Sequence, residues 1–136
     1  MRWSKVLTAG LVGGIVNAVF GFLMYGVIMG NTFRKYSPEV FRGAENEPNM
    51  MWFIIMPVLL GLAGAVLFAK TRASWQAGVK GGVLFGFWVG LIGFLSNFYL
   101  PLTITGYPYY LAWCTGSIIV MEWMVFGAVL AVVYKA

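Results

Sequence analysis

The chain has no histidine and no aspartate, and only one cysteine; its four acidic residues are all glutamate. These absences remove a range of chemistry before any pattern is read. One cysteine cannot form an intrachain disulfide. Without histidine there is no Cys/His zinc site, no histidine-ligated haem and no histidine-based catalytic triad. Charged residues make up 10% of the sequence, against roughly 25% in soluble domains. The formal net charge is +5, but the lysines and arginines form no cluster that could track phosphates, which excludes a nucleic-acid partner. The glycine runs are not followed by Gly-Lys-Ser/Thr, so no phosphate loop is present. No cofactor motif remains, and no general base or metal cluster supports an enzyme.

What the sequence has instead is apolar bulk: 61% hydrophobic residues and 18 glycines in 136 residues. Four apolar stretches cover about residues 6–29, 50–69, 78–100 and 111–134. At about 19 to 24 residues each, they can cross a hydrocarbon core of roughly 30 Å. The first stretch follows a short basic start, Met1-Arg2-Trp3-Ser4-Lys5, but no small-residue cleavage site ends it, so it is expected to be a retained helix. The expected fold is all-α: a single domain forming a four-helix, up-and-down transmembrane bundle, with the hint of two hairpin repeats.

Glycine organises the packing expected of this bundle. Gly78, Gly82, Gly86 and Gly90 recur every fourth residue and fall on one helix face. In water each would cost about 1 kcal/mol relative to alanine. In a bilayer the backbone must bond to itself, so the helix forms, and glycine lets a second backbone approach closely. Gly10, Gly14 and Gly21 lie within about 40° of one another at 100° per residue, with Asn17 on their face. These two seams suggest that the first and third helices form the core pair. Ala9-Gly10-Leu11-Val12-Gly13-Gly14 resembles Ala77-Gly78-Val79-Lys80-Gly81-Gly82, each opening the first helix of a hairpin. Such halves would be related by an axis along the membrane normal.

Charge sets the expected topology. Four spans put both termini on one side, with Arg2, Lys5, Lys70, Arg72, Lys80 and Lys135 and no acid. The other side carries Arg34, Lys35 and Arg42 against Glu39, Glu45 and Glu47. The positive-inside rule then places both termini in the cytoplasm of a plasma (inner) membrane protein. The polar loop, residues 31–49, offers a helix start at Ser37-Pro38-Glu39, and Phe33, Tyr36, Val40 and Phe41 suit either a surface helix or a solvated loop. Pro57 is expected to kink the second span, and Trp75 fits an interfacial anchor. Phe98, Tyr99, Tyr107, Tyr109, Tyr110 and Trp113 read as an aromatic belt, or more sharply as a vestibule.

Glu122 is the single ionisable residue inside a span. A carboxylate at mid-bilayer costs several kcal/mol, so it is a functional candidate by default. Asn17 and Trp88 sit at similar depth, and Thr115 lies two turns away on the Glu122 face. Asn17 is placed to donate its amide to Glu122, and Trp88 or Trp123 an indole N–H. Trp88 points well away from the Gly78–Gly90 seam, which argues for a lipid-facing or subunit-facing position. Two readings follow: a proton- or cation-binding site of a transporter, or an Asn17–Glu122 bond joining helices. Cys114 has no basic neighbour to activate it and reads as packing.

Gly21-Phe22-Leu23-Met24-Tyr25, the run Gly86-Phe87-Trp88-Val89-Gly90-Leu91-Ile92-Gly93-Phe94 followed by Asn97, and Gly106-Tyr107 before the last span together resemble an uncharacterised bacterial family of four-helix membrane proteins. The similar features cover about half the chain, with Tyr36-Ser37-Pro38 as an echo of that family's first loop. The resemblance implies the four-span topology and no activity. The size and layout also look like small multidrug transporters, but those carry a coupling Glu in the first helix, where this chain has Asn17. Expected, then, is a small non-enzymatic membrane protein without a cofactor, acting through helix packing as a homo-oligomer or accessory subunit in the lipid bilayer. The alternative is a proton-coupled secondary transporter using Glu122 with Asn17.

Overall fold

A computed structural model describes residues 2–36, 51–103 and 106–134. It contains four helices long and apolar enough to cross a membrane. The first, α1 (Trp3–Gly21), continues without a break as a π-helical segment, Phe22–Ile28. A short helix α2 (Gly30–Tyr36) follows. The second long helix, α3 (Trp52–Thr71), runs through Pro57 and closes in a 3-10 turn at Arg72–Ser74. Then come α4 (Val79–Thr103) and α5 (Tyr109–Val133). The expected helix start at Ser37-Pro38-Glu39, with Val40 and Phe41, lies outside the described residues. The third apolar helix passes Leu100 and continues through Pro101 to Thr103.

Consecutive helices pack as two antiparallel hairpins, and glycine decides how close they come. Within the first hairpin, Gly10 faces Gly61 and Leu62, and Gly14 faces Pro57 and Val58. A methyl group built on Gly14 would lie 2.7 Å from Val58 Cα and 3.0 Å from the Pro57 carbonyl oxygen. Both are backbone atoms and cannot rotate away. In the second hairpin Gly82 meets Gly127, Gly86 meets Trp123 and Met124, Gly90 meets Val120, and Gly116 lies under the Phe94 ring. The small residues thus run along nearly the whole α4–α5 contact, one helical turn after another. The expected core pair of first and third helices is corrected by this pairing. α1 packs on α3 and α5, and α4 packs on α5, because the Gly82–Gly90 seam is turned toward α5.

Gly78 is a second correction. It precedes α4 with φ +80°, and a methyl there would touch nothing within 4 Å. Its role is conformational: a left-handed backbone that a Cβ would disfavour. This also limits the repeat. Gly14 and Gly82 both meet their hairpin partners, but Gly10 packs inside a helix where its counterpart Gly78 lies outside one.

The hairpins join at the end that carries the termini. Val6, Ala9, Ala65, Phe68, Phe85, Phe126, Leu130 and Tyr134 form the packed cluster there. Phe68 meets Phe85 edge-on at 5.1 Å and Tyr134 at 6.2 Å between ring centroids. Trp75, expected as an interfacial anchor, packs on Phe85 at 5.6 Å and donates its indole N–H to Thr71 Oγ1 over 2.9 Å. Arg72 donates to the Trp75 carbonyl at 3.0 Å and lies over the Phe68 ring. Phe126, fully buried, is wedged between Gly13 of α1 and Gly64 of α3, and so ties the two hairpins together.

Burial is uneven along the bundle. Among the described residues, α1 has no buried residue after Asn17, α3 none before Gly61, and α4 none after Gly90. At that far end Phe94, Phe98 and Trp113 form an aromatic cluster with centroids 5.0–5.6 Å apart. Tyr99, Tyr109 and Tyr110 are exposed around it.

Candidate functional site

The candidate residues sort themselves along the face where α1 meets α5. Gly13, Asn17 and Gly21 are spaced by four and share one side of α1. On α5, Glu122 and Phe126 are likewise one turn apart. Gly13 lies against the Phe126 ring, and a methyl on Gly21 would come within 3.5 Å of Glu122 Oε1. Asn17, between those two glycines, therefore faces α5 between Phe126 and Glu122. The 3.5 Å at Gly21 is an ordinary contact distance, so the carboxyl group lies beside α1 there.

Asn17 is 3% exposed, and its Oδ1 has no hydrogen-bond partner. The expected bond from its amide to Glu122 is not formed among the described residues. A buried acceptor left without a donor costs about 1–3 kcal/mol, so this orphaned oxygen is a feature that needs a reason. Two reasons are available in physical terms: a water or a cation completes the site, or the cost is carried as strain.

Glu122 is half-buried, between Ile118 one turn before it on α5 and Phe126 one turn after it, both buried. A carboxylate facing bare hydrocarbon is unfavourable by about 3 kcal/mol or more on insertion scales. Its remaining exposure is thus best directed at water, a ligand or another protein. Sequence reasoning missed Tyr25, which is four residues past Gly21 and lies within electrostatic reach of Glu122. Tyr25 sits in the π-helical segment, where the Met29 N–H bonds to the Met24 carbonyl, five residues back, over 2.8 Å. Such winding is rare and is found frequently at functional sites. The visible signal was Gly21-Phe22-Leu23-Met24-Tyr25 itself, but periodicity alone does not distinguish π from α winding.

Two candidates do not join this cluster. Trp88 is 52% exposed and stacks edge-on with Phe87 at 5.7 Å, on the side of α4 away from α5. Thr115 is half-buried but seven residues from Glu122, roughly 10 Å along the helix axis at 1.5 Å per residue. Cys114 is a half-buried free thiol beside it. Among the described residues no three of His, Cys, Asp and Glu gather where they could hold a metal ion. The site therefore sets a carboxyl group and a buried amide on the face where α1 meets α5. Comparison with protein-family models, with curated proteins and with solved structures returned no match.

Proposed function

We propose that this chain is a small, non-enzymatic, multi-pass membrane protein whose activity centres on a proton- or cation-binding site formed by Glu122 and Asn17, that is, a small secondary transporter. The observation that carries this reading is the buried, unpartnered Asn17 Oδ1, one turn from Gly21, where the mid-span carboxyl group of Glu122 meets α1. A structure that needed only helix glue would pair the two groups. Both termini belong to the cytoplasmic side of the inner membrane under this proposal, on the strength of the basic residues at that end. The resemblance to the uncharacterised four-helix family is carried forward with it, as support for topology.

A second reading keeps the chain as a homo-oligomer or accessory subunit. It draws support from Glu122, whose half-exposure a partner helix could cover, and from the outward-turned Phe87–Trp88 pair. The glycine seams support it less, because Gly10, Gly14, Gly82, Gly86 and Gly90 are already occupied by helices of the same chain.

Cysteine accessibility separates the two. In a Cys114→Ala background, Glu122→Cys and Asn17→Cys are reacted in lipid with a water-soluble thiol reagent, beside Phe126→Cys as the buried reference. The transporter reading expects positions 122 and 17 to react and position 126 to resist. If all three resist while crosslinking yields a defined oligomer, the site is sealed and the assembly reading replaces it.

A further inference from the structure

The chemistry of the α1–α5 cluster narrows what it can bind. The acceptors it presents are oxygens: the Glu122 carboxyl and Asn17 Oδ1. The group left without a partner is an acceptor, so the missing component is a donor or a cation, never an anion. No histidine exists in the chain, and the lone thiol of Cys114 is eight residues from Glu122 on α5. Nitrogen and sulfur ligation, which would favour soft or borderline transition metals, is therefore absent from the cluster.

Charge narrows it again. Glu122 is the only acid within the four long helices. Calcium is held by six to eight oxygens, several of them carboxylates, and magnesium keeps a demanding octahedral shell. A divalent ion against one carboxylate would leave a net positive charge in an apolar surrounding, where an uncompensated charge is strongly disfavoured. One monovalent ion balances the site.

We infer that the cluster is a site for a single, partly hydrated alkali-metal cation, bound between the Glu122 carboxylate and Asn17 Oδ1. This rests on the transporter reading above and specifies its ligand. Asn17 supplies a neutral oxygen in place of one water of hydration. Water supplies the ligands that these two protein oxygens leave open. The orphaned amide oxygen is then the part of the site that waits for its ion.

The test uses the full chain in lipid nanodiscs at fixed pH and ionic strength. Sodium or potassium chloride replaces N-methylglucamine chloride stepwise while thermal unfolding is followed. Linkage requires the midpoint to rise with the concentration of a ligand that binds only the folded state. Wild type is expected to show a saturable rise with sodium or potassium. Asn17→Ala should weaken the apparent affinity about tenfold, the loss of one modest ligand contact. Glu122→Gln should abolish the dependence, and Trp88→Ala should leave it unchanged. A wild-type midpoint indifferent to both cations overturns the inference. If positions 122 and 17 nevertheless react with the water-soluble thiol reagent, a proton is the ligand and the transporter reading survives. If they do not, both fall together. Should Glu122→Gln fail to fold, the wild-type titration and Asn17→Ala still decide.

Discussion

Gly82 and Gly127 touch across the α4–α5 contact so closely that each excludes a side chain on the other. A methyl on Gly82 would overlap the Gly127 carbonyl oxygen and lie 2.6 Å from Ala131 Cβ; one on Gly127 would overlap the Gly82 carbonyl oxygen and lie 3.1 Å from the Gly86 nitrogen. Carbon atoms pack best at about 3.5–4.0 Å, so either alanine forces the helices apart by about 1 Å. A gap of that size forfeits a quarter to a half of each contact's dispersion energy along the seam. The expected loss is about 1–3 kcal/mol for Gly82→Ala or Gly127→Ala alone. Once the helices have separated for one methyl, the second finds room. The double variant should therefore lose less than the sum of the two, by about 0.5–3 kcal/mol. Gly82→Ala combined with Gly14→Ala, at the separate α1–α3 contact, should instead add within about 0.5 kcal/mol. Reversible unfolding in bicelles, followed by tryptophan fluorescence, measures all of these. Additive losses for Gly82→Ala with Gly127→Ala would refute the pairing of these two glycines.

Three further substitutions probe other parts of the bundle. Phe126→Ala removes the ring that fills the space between Gly13 and Gly64; it should cost about 3–5 kcal/mol in the same unfolding assay and loosen crosslinks between cysteines placed on the two hairpins. Gly78→Ala should cost about 1–2 kcal/mol through its left-handed backbone alone, with Gly78→Asn costing less, and neither should disturb the α4–α5 contact that Gly86→Ala disrupts. Asn17→Leu removes a buried acceptor that has no donor; in N-methylglucamine buffer it should raise stability by about 1 kcal/mol while weakening the cation dependence. A destabilised Asn17→Leu protein would mean that Asn17 has a structural partner.

The fold was largely legible because a bilayer leaves a chain few choices. Four apolar runs of membrane-spanning length, separated by polar or proline-containing stretches, prescribe four helices. Partner choice was less legible. The repeat of glycine at 82, 86 and 90 marks a seam, but a seam does not say which helix fills it. The answer lies in small residues on the other side, Gly127 and Gly116, which periodicity alone does not single out among 18 glycines. Gly78 extended the same spacing by one step and was misread for that reason: its positive φ depends on the turn before α4, which sequence spacing does not report. The depth of Glu122 and Asn17 along their helices was readable by counting residues. Their contact face was half readable, since the positions of Gly13, Asn17 and Gly21 fix one side of α1, while the rotation of α5 depends on Phe126. Tyr25 escaped notice because the π winding that carries it leaves no periodic signature in a uniformly apolar stretch. Trp88 shares the depth of the site but faces away, a reminder that depth without azimuth overcounts candidates.

The central claim is that the Glu122 carboxyl occupies a wet polar site between α1 and α5. Infrared spectroscopy of the protein in lipid, with Glu122→Gln as the subtracted control, addresses it directly. The account predicts a carboxyl band that shifts within seconds of transfer to heavy water and changes when sodium or potassium replaces N-methylglucamine. A band that exchanges only over hours, and ignores both cations, would contradict it and leave Glu122 as a sealed contact between helices.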